Sequence, residues 1–229
     1  MKKSTKRSGV KAKRATVFIV DDHPIVRRGL EQLINQEADL VVCGQAEGAQ
    51  TALEAMKKWM PDVALVDLSL TGESGLELIK DIKVRYPKVA VLVLSMHDET
   101  FYAERVLRAG AKGYIMKRQA AAQIVAAIRR ILSGEIWLSD PMAAKILRKV
   151  AGGKTEAVGS PIERLSNREL EVFQLIGIGL GTRHIAERIS RSVKTVEAYR
   201  EHIKVKLDLK DATELNQAAI QWLQSEHSK

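Results

Sequence analysis

A doubly wound α/β domain followed by a smaller all-helical domain is the architecture this sequence predicts, and three observations predict it. Five short apolar runs alternate with five amphipathic helical patterns up to about residue 135. Four of those runs end in polar side chains: Asp21 and Asp22, Asp67, Ser95 and Lys117. Beyond a Gly-rich stretch at 152–161 only helical patterns remain.

The first run, Thr16-Val17-Phe18-Ile19-Val20, is β-branched and apolar and stops at Asp21, Asp22 and Pro24. It reads as a buried strand that delivers carboxylates to its C-terminal end. Similar runs recur at Val41–Ala46, Val63–Val66, Val89–Leu94 and Lys112–Met116, with helical patterns near 25–36, 49–59, 75–85, 99–109 and 119–132. Near-continuous apolar strands separated by helices predict a parallel sheet covered on both faces, because connections of this length are βαβ crossovers. Right-handed crossovers and five strands suit the order 2-1-3-4-5. A short helix at Pro141–Val150 and the segment Gly152–Pro161 read as a linker over 136–161. Helical patterns follow at Asn167–Ile178, Thr182–Ile189, Val193–Leu207 and Ala212–Gln224.

Composition narrows the class. The chain has 229 residues, enough for two cores, and its single cysteine, Cys43, lies in an apolar run and has no second cysteine to bridge to. A disulfide scaffold is excluded, and a reducing cytoplasm is the expected compartment. No apolar stretch reaches the roughly 20 residues of a membrane span. The formal charge of +9 is concentrated in residues 1–14, which hold seven Lys or Arg and no acid, whereas residues 15–138 carry −1 and 160–229 only +1. The basic segment is predicted to be a disordered tail, either a weak polyanion-binding arm or a solubilising extension.

In a doubly wound sheet, ligands sit outside the carboxyl ends of the strands where strand order reverses. The predicted order brings Asp21, Asp22, Asp67, Ser95 and Lys117 to that crevice. Three converging carboxylates repel one another unless a cation joins them, and hard oxygen donors with room for water suit Mg²⁺. Asp67, on the central strand, is placed as a nucleophile for a phosphoryl group, with Lys117 as a second positive charge and the Ser95 hydroxyl as a hydrogen-bonding partner. Such a device is a switch rather than a turnover catalyst. His23 and His97 flank the crevice without metal-ligand spacing to another His or Cys, so they read as loop residues.

Through Ile19-Val20-Asp21-Asp22-His23-Pro24, Val66-Asp67-Leu68, Gly75-Leu76-Glu77, Leu94-Ser95 and Gly113-Tyr114-Ile115-Met116-Lys117, residues 15–135 resemble the receiver domain of two-component response regulators, a flavodoxin-like fold. The resemblance assigns Asp21, Asp22, Asp67 and the Ser69 backbone carbonyl to a Mg²⁺ site. It assigns Asp67 to phosphorylation by a histidine kinase, and Ser95, Tyr114 and Lys117 to the switch. Two positions depart from the pattern: Thr71 stands where the family often has Pro, and Arg118 where many receivers have a cis-proline.

In the C-terminal part, Ile185, Ile189, Val193 and Val196 can pack two short helices together, and Ser192 is placed to cap the second. A basic second helix of this kind fits the major groove of DNA. The stretches Leu165–Val172, Gly179, Ile185-Ala186, Lys194-Thr195-Val196-Glu197 and Tyr199-Arg200 resemble the LuxR-type helix-turn-helix domain over about 162–225. That resemblance makes 193–207 the recognition helix and the last helix a dimerisation element. Lys194, Thr195 and Arg200 are the leading candidates for contact with double-stranded promoter DNA, and Glu197, Tyr199 and Lys204 share their helix. Glu197 and Glu201 repel phosphates unless they meet cytosine amino groups or pair with Arg or Lys.

Together the two halves resemble a NarL/FixJ response regulator: a cytoplasmic, DNA-binding transcriptional regulator that forms a homodimer on phosphorylation of Asp67 and catalyses nothing beyond its own phosphoryl transfer and dephosphorylation. The alternatives are a phosphorylation-independent DNA-binding regulator with a vestigial acidic pocket and an aspartate-based hydrolase. The latter needs a general acid two residues after Asp67, where this chain has Ser69.

Overall fold

The computed structural model describes residues 14–71, 74–151 and 161–227, which part into two compact units between Ala151 and Gly152. In the first unit, β1 (Ala15–Val20), β2 (Leu40–Ala46), β3 (Val63–Asp67), β4 (Ala90–Ser95) and β5 (Gly113–Met116) form one parallel sheet in the order β2-β1-β3-β4-β5. Helices α1 (Pro24–Asn35), α2 (Ala49–Trp59), α3 (Gly75–Arg85), α4 (Glu99–Ala109) and α5 (Ala120–Leu132) connect and flank the strands, and a 3₁₀ turn at Lys117–Gln119 opens α5. The fold is the predicted one. Val17, Phe18, Ile19 and Val63–Val66 are essentially inaccessible, as strands covered on both faces require. Burying each such side chain stabilises the unit by about 1.5–3 kcal/mol.

Each helix starts for a local reason. Pro24 supplies the first turn of α1, while the side chains of Ser74 and Asp98 accept backbone N–H groups of Glu77 and Thr100 at the starts of α3 and α4. Gly75 lets α3 approach the end of β3, since a Cβ there would lie 2.1 Å from the Asp67 carbonyl oxygen and 2.6 Å from Leu68 Cα.

The unit extends past residue 135, where the strand–helix alternation ends. Trp137 donates to the Lys112 carbonyl and accepts from the Tyr114 N–H, so the chain after α5 pairs with the edge strand β5. The carboxylate of Glu99, buried at the start of α4, accepts the Ser139 N–H at 2.9 Å, and α6 (Asp140–Val150) follows. The first part of the predicted linker is therefore attached to the sheet, and 152–160 lies outside the described residues. So does the predicted basic tail, except Arg14. That residue is not free: its guanidinium donates to the carbonyls of Leu40 (Nε at 2.8 Å) and Glu37.

The second unit contains α7 (Asn167–Gly177), α8 (Thr182–Arg188), α9 (Val193–Leu207) and α10 (Ala212–His227) around Leu170, Phe173, Ile185, Ile189, Val196, Ile203 and Leu215. A capping box between Ser166 and Glu169 starts α7, and the Ser192 side chain accepts the Thr195 N–H to start α9. Val193 departs from the expected packing. It is 43% exposed, because as the first residue of α9 it lies off the buried line of Val196 and Ile203.

Candidate functional site: an acidic crevice and a helix-turn-helix

Four strand ends build the crevice. Asp21 and Asp22 follow β1, Asp67 ends β3, Ser95 ends β4, and Lys117 follows β5. Asp21, Asp67 and Ser95 are buried, and the Lys117 ammonium lies 2.7 Å from Asp21 Oδ2 and 2.6 Å from Asp67 Oδ2. The other Asp67 oxygen, Oδ1, accepts the Ser69 N–H at 3.1 Å. Burial pushes the Asp67 carboxyl above its usual range against the pull of Lys117, while Asp21 adds to the rise. The Lys117 ammonium is held above its ordinary value although burial opposes it, because Asp67 and Asp21 face it. Burial works against Asp22 as well, yet its carboxyl is held low by hydrogen bonds from Thr71 and by the charges of His23 and Lys117.

The donor set fits a hard divalent cation. Candidate ligand atoms of Asp21, Asp22, His23 and Asp67 lie within 4.8 Å of one another. Asp21 Oδ2 and Asp22 Oδ1 are buried and accept no hydrogen bond among the described residues; Lys117 and His23 lie close to them but off hydrogen-bonding angles. Lys117 offsets one charge of this three-carboxylate cluster and leaves buried oxygens for a further cation, and carboxylates are the donors Mg²⁺ prefers.

Loop residues hold the crevice together in ways the sequence did not announce. Thr71 donates both its N–H and its hydroxyl to Asp22 Oδ2, so the position that departs from the receiver pattern fixes a carboxylate. His97 is more than a loop residue. Its Nε2 lies 2.9 Å from Ser69 Oγ, its ring stacks on Tyr102, its N–H donates to Ser95 Oγ, and its carbonyl accepts the Tyr114 hydroxyl. Tyr114 is buried, and burial raises its hydroxyl pKa far above the ordinary range. Ser95 and Tyr114 thus meet the same loop, and Ser69 ties that loop to Asp67. A hydroxyl two residues after Asp67 and a ring two residues after β4 were the only signals in the sequence.

In the second unit, α8 and α9 form a helix-turn-helix with Ile185 and Val196 fully buried between them. Lys194 and Glu197 are exposed, and Thr195 Oγ1 lies 2.8 Å from Ser192 Oγ. Tyr199 and Arg200 are half-buried; Arg200 donates to Asn216 Oδ1 of α10 at 3.3 Å, and Lys204 lies 3.0 Å from Glu201. Glu169, which sequence reading did not single out, is buried between α7 and α9, 2.6 Å from Lys206 Nζ.

Two families cover these two units. The response regulator receiver domain matches residues 17–129, and the luxR family of bacterial regulatory proteins matches residues 163–219. The oxygen regulatory protein NreC of Staphylococcus haemolyticus is 37% identical over 208 residues, covering 89% of this chain and 96% of that protein. The chain is a response regulator of the NarL/FixJ family. It is accordingly a DNA-binding transcriptional regulator of a two-component system, not an enzyme of the usual kind. NreC of Staphylococcus aureus is 38% identical to the regulator over the same share of both chains. A structure of RcsB from Salmonella typhimurium covers 93% of the regulator and 98% of its own chain at 26% identity and a TM-score of 0.64. Another, RcsB bound to a promoter in the presence of the phosphomimetic BeF₃⁻, covers 90% of the regulator and 98% of its own chain at 27% identity and a TM-score of 0.60. No helix among the described residues is long and apolar enough to cross a membrane.

Proposed function

We propose that this cytoplasmic regulator accepts a phosphoryl group on Asp67 from a partner histidine kinase and then binds promoter DNA as a homodimer. The observation that supports it most is the Lys117 ammonium, held 2.6 Å from Asp67 and 2.7 Å from Asp21 beside two buried carboxylate oxygens that lack hydrogen bonds. In this reading residues 15–135 are the receiver, 136–161 the connecting segment, whose first part is attached to the receiver sheet, and 162–225 the DNA-binding domain.

In the transfer, an Asp67 carboxylate oxygen forms a bond to phosphorus as the P–N bond of a phosphohistidine breaks, and the leaving imidazole takes up a proton to become neutral. Asp21, Asp22, Asp67 and the Ser69 carbonyl would hold Mg²⁺, which would supply charge neutralisation for the phosphoryl oxygens. Lys117 exchanges its contact with Asp67 Oδ2 for a phosphoryl oxygen. Ser95 Oγ, which now accepts the His97 N–H, turns its own hydroxyl to the phosphoryl group. That movement pulls on the His97 loop and on the Tyr114 hydroxyl bonded to it, which changes the α4–β5 face and favours the DNA-binding form. Water returns Asp67 to the carboxylate by hydrolysing the acyl phosphate, the one reaction the chain turns over.

Intact mass after incubation with Mg²⁺ and acetyl phosphate tests the reading. Wild type gains one phosphoryl group, about 80 Da, whereas Asp67→Asn and wild type in EDTA gain none. Promoter affinity that ignores both the adduct and Asp67→Ala would instead support a phosphorylation-independent regulator.

A further inference from the structure

The recognition helix α9 turns Val196 and Ile203, both fully buried, toward the rest of its unit. On a helix of 3.6 residues per turn the opposite line is Lys194, Ala198, Glu201 and Val205, at spacings of four, three and four, and all four are exposed. The other cations and the aromatic ring of the helix do not join that line. Arg200 and Tyr199 are half-buried, with Arg200 bonded to Asn216, and the Lys204 side chain is 19% exposed and directed at Glu201. The outward line of α9 is thus one cation, one carboxylate and two apolar side chains, with Val205 81% exposed, and the exposed Glu197 and His202 flank it on either side. A helix that touched only phosphates would present cations instead.

We propose that Glu201 is a specificity determinant of this regulator, accepting a hydrogen bond from the exocyclic amino group of a cytosine in the major groove, with Ala198 against a thymine methyl group on the same stripe. The inference rests on the DNA-binding reading above and deepens it. A carboxylate between two rows of phosphates is repelled unless it meets a donor. The major groove offers donors only at the amino groups of cytosine and adenine, and a carboxylate pairs with cytosine. Lys204 Nζ, 3.0 Å from Glu201 Oε2, offsets part of the charge and leaves Oε1 to accept. Ala198, between Lys194 and Glu201, is short enough for the helix to sit deep in the groove.

Selection of duplexes from a randomised library by the full chain, activated with Mg²⁺ and beryllofluoride, tests this. Wild type enriches a half-site with an invariant cytosine, and changing that base pair weakens binding about tenfold or more. Glu201→Ala, at an exposed position that leaves the fold intact, cuts that discrimination to under threefold at that base pair alone. Glu201→Gln moves the preference there toward adenine, whose amino group and ring nitrogen a carboxamide pairs with. A Glu201→Ala protein that binds every duplex more tightly but ranks them as wild type does would make Glu201 merely repulsive and overturn the proposal. Selection of no duplex by activated wild type overturns the DNA-binding reading and this proposal with it.

Discussion

Lys117 and Glu169 each hold a buried charge in place, one in each unit, and the consequences of removing them differ. The Lys117 side chain is 10% exposed, and two buried carboxylates depend on it. Lys117→Met leaves Asp21 and Asp67 facing each other without a cation. Breaking such a buried pair costs about 3 kcal/mol or more, a drop on the order of 10 °C in Tm for the receiver unit. A divalent cation held by the proposed Asp21, Asp22 and Asp67 site would neutralise the same carboxylates, so the loss is expected to be largest in EDTA and to shrink as Mg²⁺ is added; scanning calorimetry in both conditions checks this. Glu169 titrates in the other direction. Although burial opposes it, hydrogen bonds from Lys206 and Ser166 hold its carboxyl below the ordinary glutamate range. A lowered folded-state pKa gives a stabilising contribution that is complete above the unfolded value of about 4.3 and is lost as pH falls through the lowered folded value. The second unit should therefore lose stability on the acid side of about pH 4.3, and Glu169→Gln should flatten that limb of the curve, as followed by helical circular dichroism. The carboxylates, the serine and the lysine of the crevice were legible in the sequence because each ends or follows a strand. Thr71, His97 and Glu169 were not, because their partners lie 49, 28 and 37 residues away and belong to other elements.

Elements place those residues by backbone approach. Gly75 brings the start of α3 against the Asp67 carbonyl, so a methyl group there must push β3 and α3 apart. Gly75→Ala is expected to cost about 1–3 kcal/mol and to lower the yield of the acetyl phosphate adduct. Ser74→Ala removes only the α3 cap, costs about 1 kcal/mol, and leaves that yield unchanged. Comparing adduct mass and urea midpoint for the two variants separates positioning of Asp67 from stability. The strands and helices themselves were predictable to within a residue or two, except that α10 runs three residues past the expected Gln224 to His227, because continuous apolar runs and helical periods are strong local signals. The attachment of Trp137 to β5 had no such signal. It depends on an open sheet edge that exists only once β5 has joined β4.

For the whole molecule, the charge distribution predicts that affinity comes from pairing two copies. The residues 160–229 carry a net charge of only +1, so one copy gains little from phosphates, and two half-sites held by a dimer raise affinity by effective concentration. Sedimentation with Mg²⁺ and acetyl phosphate should show wild type shifting from monomer to dimer and binding promoter DNA more tightly, with Asp67→Asn unchanged in both. The sequence by itself determined the two-part organisation, the strand order and the meeting of Asp21, Asp22, Asp67, Ser95 and Lys117 in one crevice, because period, strand-end polarity and right-handed crossovers leave few alternatives. Only the tertiary structure decided which side chains are spent on neighbours and which are left to act. Arg200 and Glu201 are adjacent in the chain, yet packing against α10 takes up one and leaves the other exposed, and exposure is set by what lies across a helix rather than along it.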